Sequence, residues 1–154
     1  MDNFDFIAAS DRPALLAVST HEWRCQIENA LMELGYKVHA AEDHGQFHFL
    51  FNQTNYEIVV IEETFCSSPE DNTTLKTVQS MPMAQRRHAT IILIGANFES
   101  LNALQAFAQS VQCVVNFSEM PLIGQLIQKA VVENQTFMAP FLAVQRTAHL
   151  NAPR

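Results

Sequence analysis

Five short apolar runs alternate strictly with five helical patterns along this chain, and that alternation constrains its fold more than any other feature. The runs are Ala14–Ser19, Tyr36–Ala41, Glu57–Glu62, Thr90–Gly95 and Gln112–Asn116. Three of them contain continuous apolar blocks, LLAV at 15–18, IVVI at 58–61 and IILI at 91–94. Such blocks suit strands covered by helices on both faces. Right-handed crossovers then make the chain an α/β protein with an open, doubly wound, five-stranded parallel sheet.

The segments between the runs carry helical spacing. Trp23, Ile27, Ala30, Leu31 and Leu34 form one apolar stripe, and Gly35 stands where a left-handed residue closes a helix. Phe47, Leu50 and Phe51 share a face of a shorter second helix that Asp43 is placed to cap. The polar passage ETFCSSPEDNT reads as a loop, with residues 63–72 able to cover the sheet edge. A helix over 72–81 follows with Leu75 and Val78, and Met81-Pro82-Met83 should end it. Leu101, Leu104, Phe107, Ala108 and Val111 define a fourth helix. Ser118 is expected to cap a fifth, carrying Leu122, Leu126, Ile127, Ala130 and Val131. The division is then an N-terminal tail over 1–12, one domain over 13–133, and a C-terminal extension over 134–154 containing a further turn or short helix. Phe4 and Ile7 are candidates for packing the tail against a neighbouring surface.

Charge and cysteine usage narrow the partners. The net charge is −7, and the only basic cluster is Arg86-Arg87-His88, so a nucleic-acid backbone is not an expected partner. No apolar stretch approaches the roughly 20 residues that span a bilayer, and MDNFDFIAAS lacks the basic region of a secretory signal. Cys25, Cys66 and Cys113 are odd in number and widely spaced, which suits a reducing cytoplasm and matches no zinc or redox motif. Cys25 and Cys113 read as small buried hydrophobes.

In doubly wound sheets, ligands gather at the carboxyl ends of the strands, which here means just after Ser19, Glu62, Gly95 and Asn116. The pieces ALLAVST, HEWRCQIENALM and ELGY, then AED at 41–43, YEIVVIE at 56–62, TIILIGA at 90–96 and CVVNF at 113–117, together resemble the receiver domain of bacterial response regulators over roughly residues 12–133. The resemblance implies a flavodoxin-like topology with strand order 2-1-3-4-5. It also implies a pocket in which an acidic pair holds a divalent metal, an aspartate accepts a phosphoryl group, a Ser or Thr reads it and a lysine neutralises it. Carried onto this chain, Ser19 and Thr20 replace the acidic pair, Glu62 the acceptor, Gly95 the hydroxyl residue and Asn116 the lysine. Phe117 stands at the proline after that lysine, and Cys66 at the proline of the acceptor loop. Every chemical position departs from the pattern, so phosphoryl acceptance is not expected.

The residues leave three roles open for Glu62: a carboxylate hydrogen-bonded to Ser19, Thr20 or a loop amide, a permanent charge mimic, or part of a small-ligand or metal site. His44 and His48 lie four apart, but no third ligand joins them at a diagnostic spacing. Ser19, His21 and Glu62 supply the residue types of a hydrolytic triad without the GxSxG elbow, and Gly95-Ala96-Asn97 lacks the spacing of a phosphate loop. The expected function is a non-enzymatic signalling or scaffolding module without a cofactor, whose output comes from another protein. Small-metabolite binding and an enzyme built on Ser19, His21 and Glu62 are the alternatives. The resemblance places the contact surface on the fourth helix, fifth strand and fifth helix, with a homodimer expected there. That surface includes Gln105, Phe107, Gln109, Ser118, Glu119, Gln125, Gln128 and Lys129, although Phe107 on a helical stripe is by default a core residue.

Overall fold

The computed structural model describes residues 7, 8, 10–66, 71–82 and 89–150, with the helix beyond 136 described as backbone only. The apolar runs become strands β1 (Pro13–Ala17), β2 (Lys37–Ala40), β3 (Ile58–Glu62), β4 (Thr90–Gly95) and β5 (Cys113–Asn116). They form one parallel sheet in the order β2-β1-β3-β4-β5, as expected. The helices are α1 (His21–Glu33), α2 (His44–Gln53), α3 (Thr73–Ser80), α4 (Ala103–Ala108) and α5 (Ile123–Leu150).

Alternation along each strand sorts the apolar side chains onto two faces. Leu16, Val18, Ile58, Val60, Ile92, Ile94 and Val115 pack with Ile27 and Leu31 of α1 and Ile123 and Ile127 of α5. Leu15, Ala17, Val59, Ile61, Ile91, Leu93 and Val114 pack with Phe47 of α2, Val78 of α3 and Ala106 of α4. Burial on both faces is why the strands read as unbroken apolar blocks rather than alternating ones. Ile7 packs at the edge of the second cluster, while Phe4, Arg86, Arg87, His88 and residues 67–70 lie outside the described residues.

Local signals set most of the ends. Gly35 closes α1 at φ +90°, and the Asp43 side chain accepts the Gln46 N–H at 2.7 Å to cap α2. The α3 helix stops at Ser80, before the extended Met81 that precedes Pro82. The first strand ends at Ala17 instead of Ser19, because the Ser19 N–H is directed to the Glu62 carboxylate.

Two helices differ from the sequence reading. The expected buried stripe on α4 is absent: Leu104 and Phe107 are 81% and 84% exposed, and Ala106 is the buried residue. Leu101, at φ +66°, and Val111 flank the helix rather than belonging to it, so their spacing does not report its buried face. The small Ala106 is the side chain that faces the sheet. The last helix also starts later and runs further than its periodicity suggests. Asn116, not Ser118, caps a 3₁₀ turn over Phe117–Leu122 that contains Pro121, and α5 begins only at Ile123. It then continues unbroken past residue 133, so residues 134–150 prolong the same helix instead of forming a separate short one.

Gly35 is the position where backbone geometry most restricts the residue. Replacing it with Ala should destabilise the fold by about 1–2 kcal/mol, the cost of a left-handed L-residue, since nothing within 4 Å obstructs the added Cβ. Urea unfolding of Gly35→Ala against the parent measures this.

Candidate functional site

Ser19, Thr20, Glu62, Gly95 and Asn116 all lie at the carboxyl edge of the sheet. Glu62 ends β3 and is only 3% exposed. Its Oε2 accepts the Ser19 N–H at 2.8 Å and the Thr20 N–H at 3.1 Å, and its Oε1 accepts the Thr20 hydroxyl at 2.9 Å and the Thr64 hydroxyl at 3.1 Å. Two of these donors are backbone groups of the turn that opens α1, where the helix dipole favours an anion. The carboxylate is thus satisfied entirely by the protein, spanning the distance from β3 to the β1–α1 turn with its own side chain. Thr20 uses its hydroxyl on Glu62 and makes no side-chain cap on α1.

The other positions are turned inward as well. A Cβ on Gly95 would sit 2.6 Å from Glu63 Oε2 and 2.7 Å from the Phe98 ring, so those side chains fill the space where a hydroxyl residue would stand. Asn116 Nδ2 donates to the Ala96 carbonyl at 3.1 Å and the Phe98 carbonyl at 2.7 Å, while its Oδ1 accepts the Ser118 N–H at 2.9 Å. Its backbone N–H donates to Ser100 Oγ at 2.9 Å. Asn116 therefore clamps the β4–α4 loop to the turn before α5, a neutral role that needs both a donor and an acceptor and that lysine cannot fill. Beside it, Phe117 stacks on Trp23 of α1 with ring centroids 3.8 Å apart.

Cys66, exposed and at φ +56°, reaches the same edge. Its N–H donates to Ser19 Oγ at 2.8 Å and its thiol donates to the Glu42 carbonyl at 3.1 Å. Sequence reasoning missed Thr64, Phe98 and Ser100 in this arrangement, and also Asn72. The fully buried Asn72 holds the carbonyls of Glu62 and Glu63 at 3.0 Å each while its Oδ1 caps α3. An asparagine opening the third helix was a legible cap signal; the contacts of Phe98 and Ser100 cross between elements and leave no local trace.

The hydrolytic alternative does not assemble. His21 Nδ1 lies 3.0 Å from an Arg24 nitrogen, which can only donate, and His21 Nε2 faces the Cys25 thiol at 3.6 Å. Ser19 Oγ meanwhile binds Cys66, and Glu62 makes no contact with His21 among the described hydrogen bonds. Nor do His44 and His48 converge on an ion. His44 Nδ1 accepts the Thr74 N–H at 3.3 Å and lies 2.8 Å from Thr74 Oγ1, which ties the start of α3 to the start of α2. Among the described residues no group of three or more His, Cys, Asp or Glu is placed to hold a metal, and no helix is long and apolar enough to cross a membrane.

A backbone N–H can only donate, so the Thr74 contact favours the neutral His44 tautomer with its proton on Nε2. That nitrogen is buried without a hydrogen-bond partner among the described residues, and the ring meets Phe65 edge-on at 5.3 Å. Desolvation, reinforced by the neighbouring His48 and opposed by Asp43, holds the His44 pKa below its ordinary value. Cys113 behaves as the buried hydrophobe expected, its thiol pushed up to about 12 by burial and, secondarily, by Glu133. Cys25 is only half-buried.

Of the polar residues assigned to the contact surface, Ser118, Gln125, Gln128 and Lys129 are exposed and Glu119 is partly so. Gln105 and Gln109 have internal roles instead. The Gln105 side chain accepts the Glu99 N–H at 2.6 Å, and Gln109 accepts from Gln79 Nε2 through its backbone carbonyl at 2.9 Å and its side-chain Oε1 at 3.3 Å.

No protein-family model and no curated protein matches this sequence. Solved structures do match it. A chemotaxis response regulator of Vibrio cholerae superposes with a TM-score of 0.61 at 12% identity, covering 81% of this chain and 99% of that one. An orphan response regulator of H. pylori gives 0.59 at 17% identity, covering 79% and 97%. A response regulator from Thermotoga maritima gives 0.61 at 9% identity, covering 79% and 98%. The chain has the receiver fold, and at these identities the likeness is one of fold.

Placing a hydroxyl residue at the end of β4 should be costly. Gly95→Ser must displace the Phe98 ring, and overpacking of this kind costs about 1–3 kcal/mol; denaturant unfolding gives the difference. His44 makes stability depend on pH. Its folded pKa lies below the unfolded value near 6.5, so the unfolded chain binds more protons and stability falls as pH drops below about 6.5, levelling off beneath the folded pKa. His44→Gln should flatten that part of the pH–stability profile.

Proposed function

We propose that this chain is a non-enzymatic signalling or scaffolding module of receiver fold that does not accept a phosphoryl group and works through protein contacts. The observation that carries the reading is the Glu62 carboxylate bound to the Ser19 and Thr20 amides and to two hydroxyls. Phosphoryl transfer depends on a metal and a cationic side chain to neutralise spread charge. Here the positions that would supply them are occupied by Ser19, Thr20 and Asn116, each spent on internal hydrogen bonds.

The same geometry supports a fixed state over a charge mimic. The hydrogen bonds of Glu62 run to the β1–α1 turn and to Thr64, while the β4–α4 loop is held by Asn116. Metabolite binding has less support, because Glu63, Phe98 and the Trp23–Phe117 stack occupy the edge where a ligand would enter.

Exposed Leu104 and Phe107 on α4 mark the output face, with Leu122 following β5 at 45% exposure. Through this face, which continues onto Gln125 and Lys129 of α5, the module engages a protein partner in the cytoplasm, a second copy of itself being the expected occupant.

Intact-mass spectrometry after incubation with magnesium and an acyl-phosphate donor tests the proposal, with Glu62→Gln as control and a phosphorylatable receiver verifying the donor. The expected result is no phosphate adduct. An adduct present in the parent and lost in Glu62→Gln would overturn the reading. Phe107→Asp should abolish partner or self-association through α4 while leaving the melting temperature within a few degrees, as about 0.5 kcal/mol at an exposed site implies.

A further inference from the structure

The amino edge of the sheet, opposite Glu62, holds a cavity of about 160 Å³ between the end of α1 and α5. Its floor is apolar, made by Leu34, Ile127, Val131 and Val132. Leu34 and Tyr36 both line it and flank Gly35, so the turn between α1 and β2 puts no side chain of its own into the space. An apolar void of about 150 Å³ holds one benzene ring, whereas drug-sized ligands need larger pockets. The volume therefore suits a single ring or a short branched chain.

Arg12 and Tyr36 bring unused donors to the wall of this cavity. The Arg12 guanidinium is fixed in place: Nε donates to Glu57 at 3.0 Å, Nη2 donates to the Tyr36 hydroxyl at 2.7 Å, and its central carbon lies 4.3 Å from the centre of the Tyr36 ring. Its Nη1 group has no partner among the described hydrogen bonds. Tyr36 is only 7% exposed, and its hydroxyl, having accepted from Arg12, keeps its own proton without an acceptor among those bonds. Burial, opposed by Arg12 and reinforced by Glu57, raises the Tyr36 pKa, so the phenol holds that proton at neutral pH.

A donor pair over an apolar floor selects its ligand. A planar carboxylate accepts from a guanidinium N–H and a hydroxyl at once, and a charged acceptor binds such donors more strongly than a neutral one. The Arg12 side chain is 46% exposed, so the carboxylate stays at the mouth while an apolar body enters the cavity.

Charge favours this ligand at contact range. The net charge of −7 disfavours an anion at a distance, but that field is screened beyond about 10 Å in ordinary salt, whereas the guanidinium acts at hydrogen-bond distance. Glu57 occupies the Nε side of Arg12 and leaves the Nη1 end to a ligand.

We propose that this cavity binds a small monocarboxylate with a ring-sized apolar body, its carboxylate held by Arg12 Nη1 and the Tyr36 hydroxyl and its body seated on Leu34, Ile127 and Val131. The site shares no residue with the Glu62 network or the α4 face, so it stands or falls separately from the phosphoryl chemistry and the α4 contact.

Sodium benzoate is the probe, read by backbone amide shifts of the isotope-labelled full chain against sodium chloride at matched ionic strength. Saturable shifts should cluster at Tyr36, Gln128 and Val131, which line the cavity. Benzamide, similar in shape but uncharged, should bind about tenfold more weakly or worse. Benzoate should lose a similar factor on Tyr36→Phe, which keeps the ring and removes the donor, and on Arg12→Gln, while Phe107→Asp should bind it like the parent. Should either cavity variant fail to fold, the benzoate–benzamide comparison on the parent still decides. No saturable shift into the millimolar range, shifts centred away from the cavity, or equal binding of benzoate and benzamide would overturn the proposal. So would unchanged affinity in both Tyr36→Phe and Arg12→Gln.

Discussion

The carboxyl edge of this sheet depends on one buried carboxylate. Glu62 is at the end of the central strand, and its oxygens take two amides and a hydroxyl from the turn between β1 and α1. Leaving buried groups of this kind unpaired costs more than any single bond contributes, so the arrangement holds as a unit. It ends the β1 ladder at Ala17, orients the first turn of α1 and leaves the Ser19 hydroxyl facing Cys66. Across the sheet, Asn116 does the equivalent for the β4–α4 loop and the turn into α5.

These two anchors convert a place suited to ions and phosphates into a self-contained hydrogen-bond network. The side chain of Glu62 is one methylene longer than aspartate, which lets it reach the turn amides without an intermediary. The absence of a Cβ at Gly95 admits Glu63 and Phe98. Edge positions that look independent in the sequence are therefore structurally coupled, since each fills room or satisfies donors that the others leave. In the proposed reading, a pocket locked in this way shifts the work of the molecule to its surface, where Leu104 and Phe107 of α4 stand exposed.

The legibility of each part follows from the range of the interactions behind it. Strand identity was plain because burial on both faces demands an unbroken apolar block of the kind seen at 58–61 and 91–94. Gly35 and Asp43 were plain because caps are satisfied within one turn of chain. The direction of Leu104 and Phe107 was not, since a helix of six residues has too little periodicity to fix its buried face against its flanking turns. The start of α5 was misread for a related reason: Ser118 is a good cap by type, but Asn116 is held in the capping position by its bonds to the neighbouring loop.

What the sequence by itself determined is the alternation of elements, the receiver-like order of the sheet, and the identity of the residues at its carboxyl edge. The alternation and the edge residues follow from periodicity and strand-end position, which are properties of neighbouring residues, whereas the order of the strands was implied by the resemblance to receiver domains. Tertiary structure alone decided which partners Glu62, Asn116 and His44 found, that His21 turned away from Ser19, and that the side chains near Gly95 filled its empty space. Apart from His21, which turns to Arg24 and Cys25 of its own helix, these depend on groups brought together from different crossovers. A hydrogen bond or steric contact between elements distant in the chain has no period for the sequence to display.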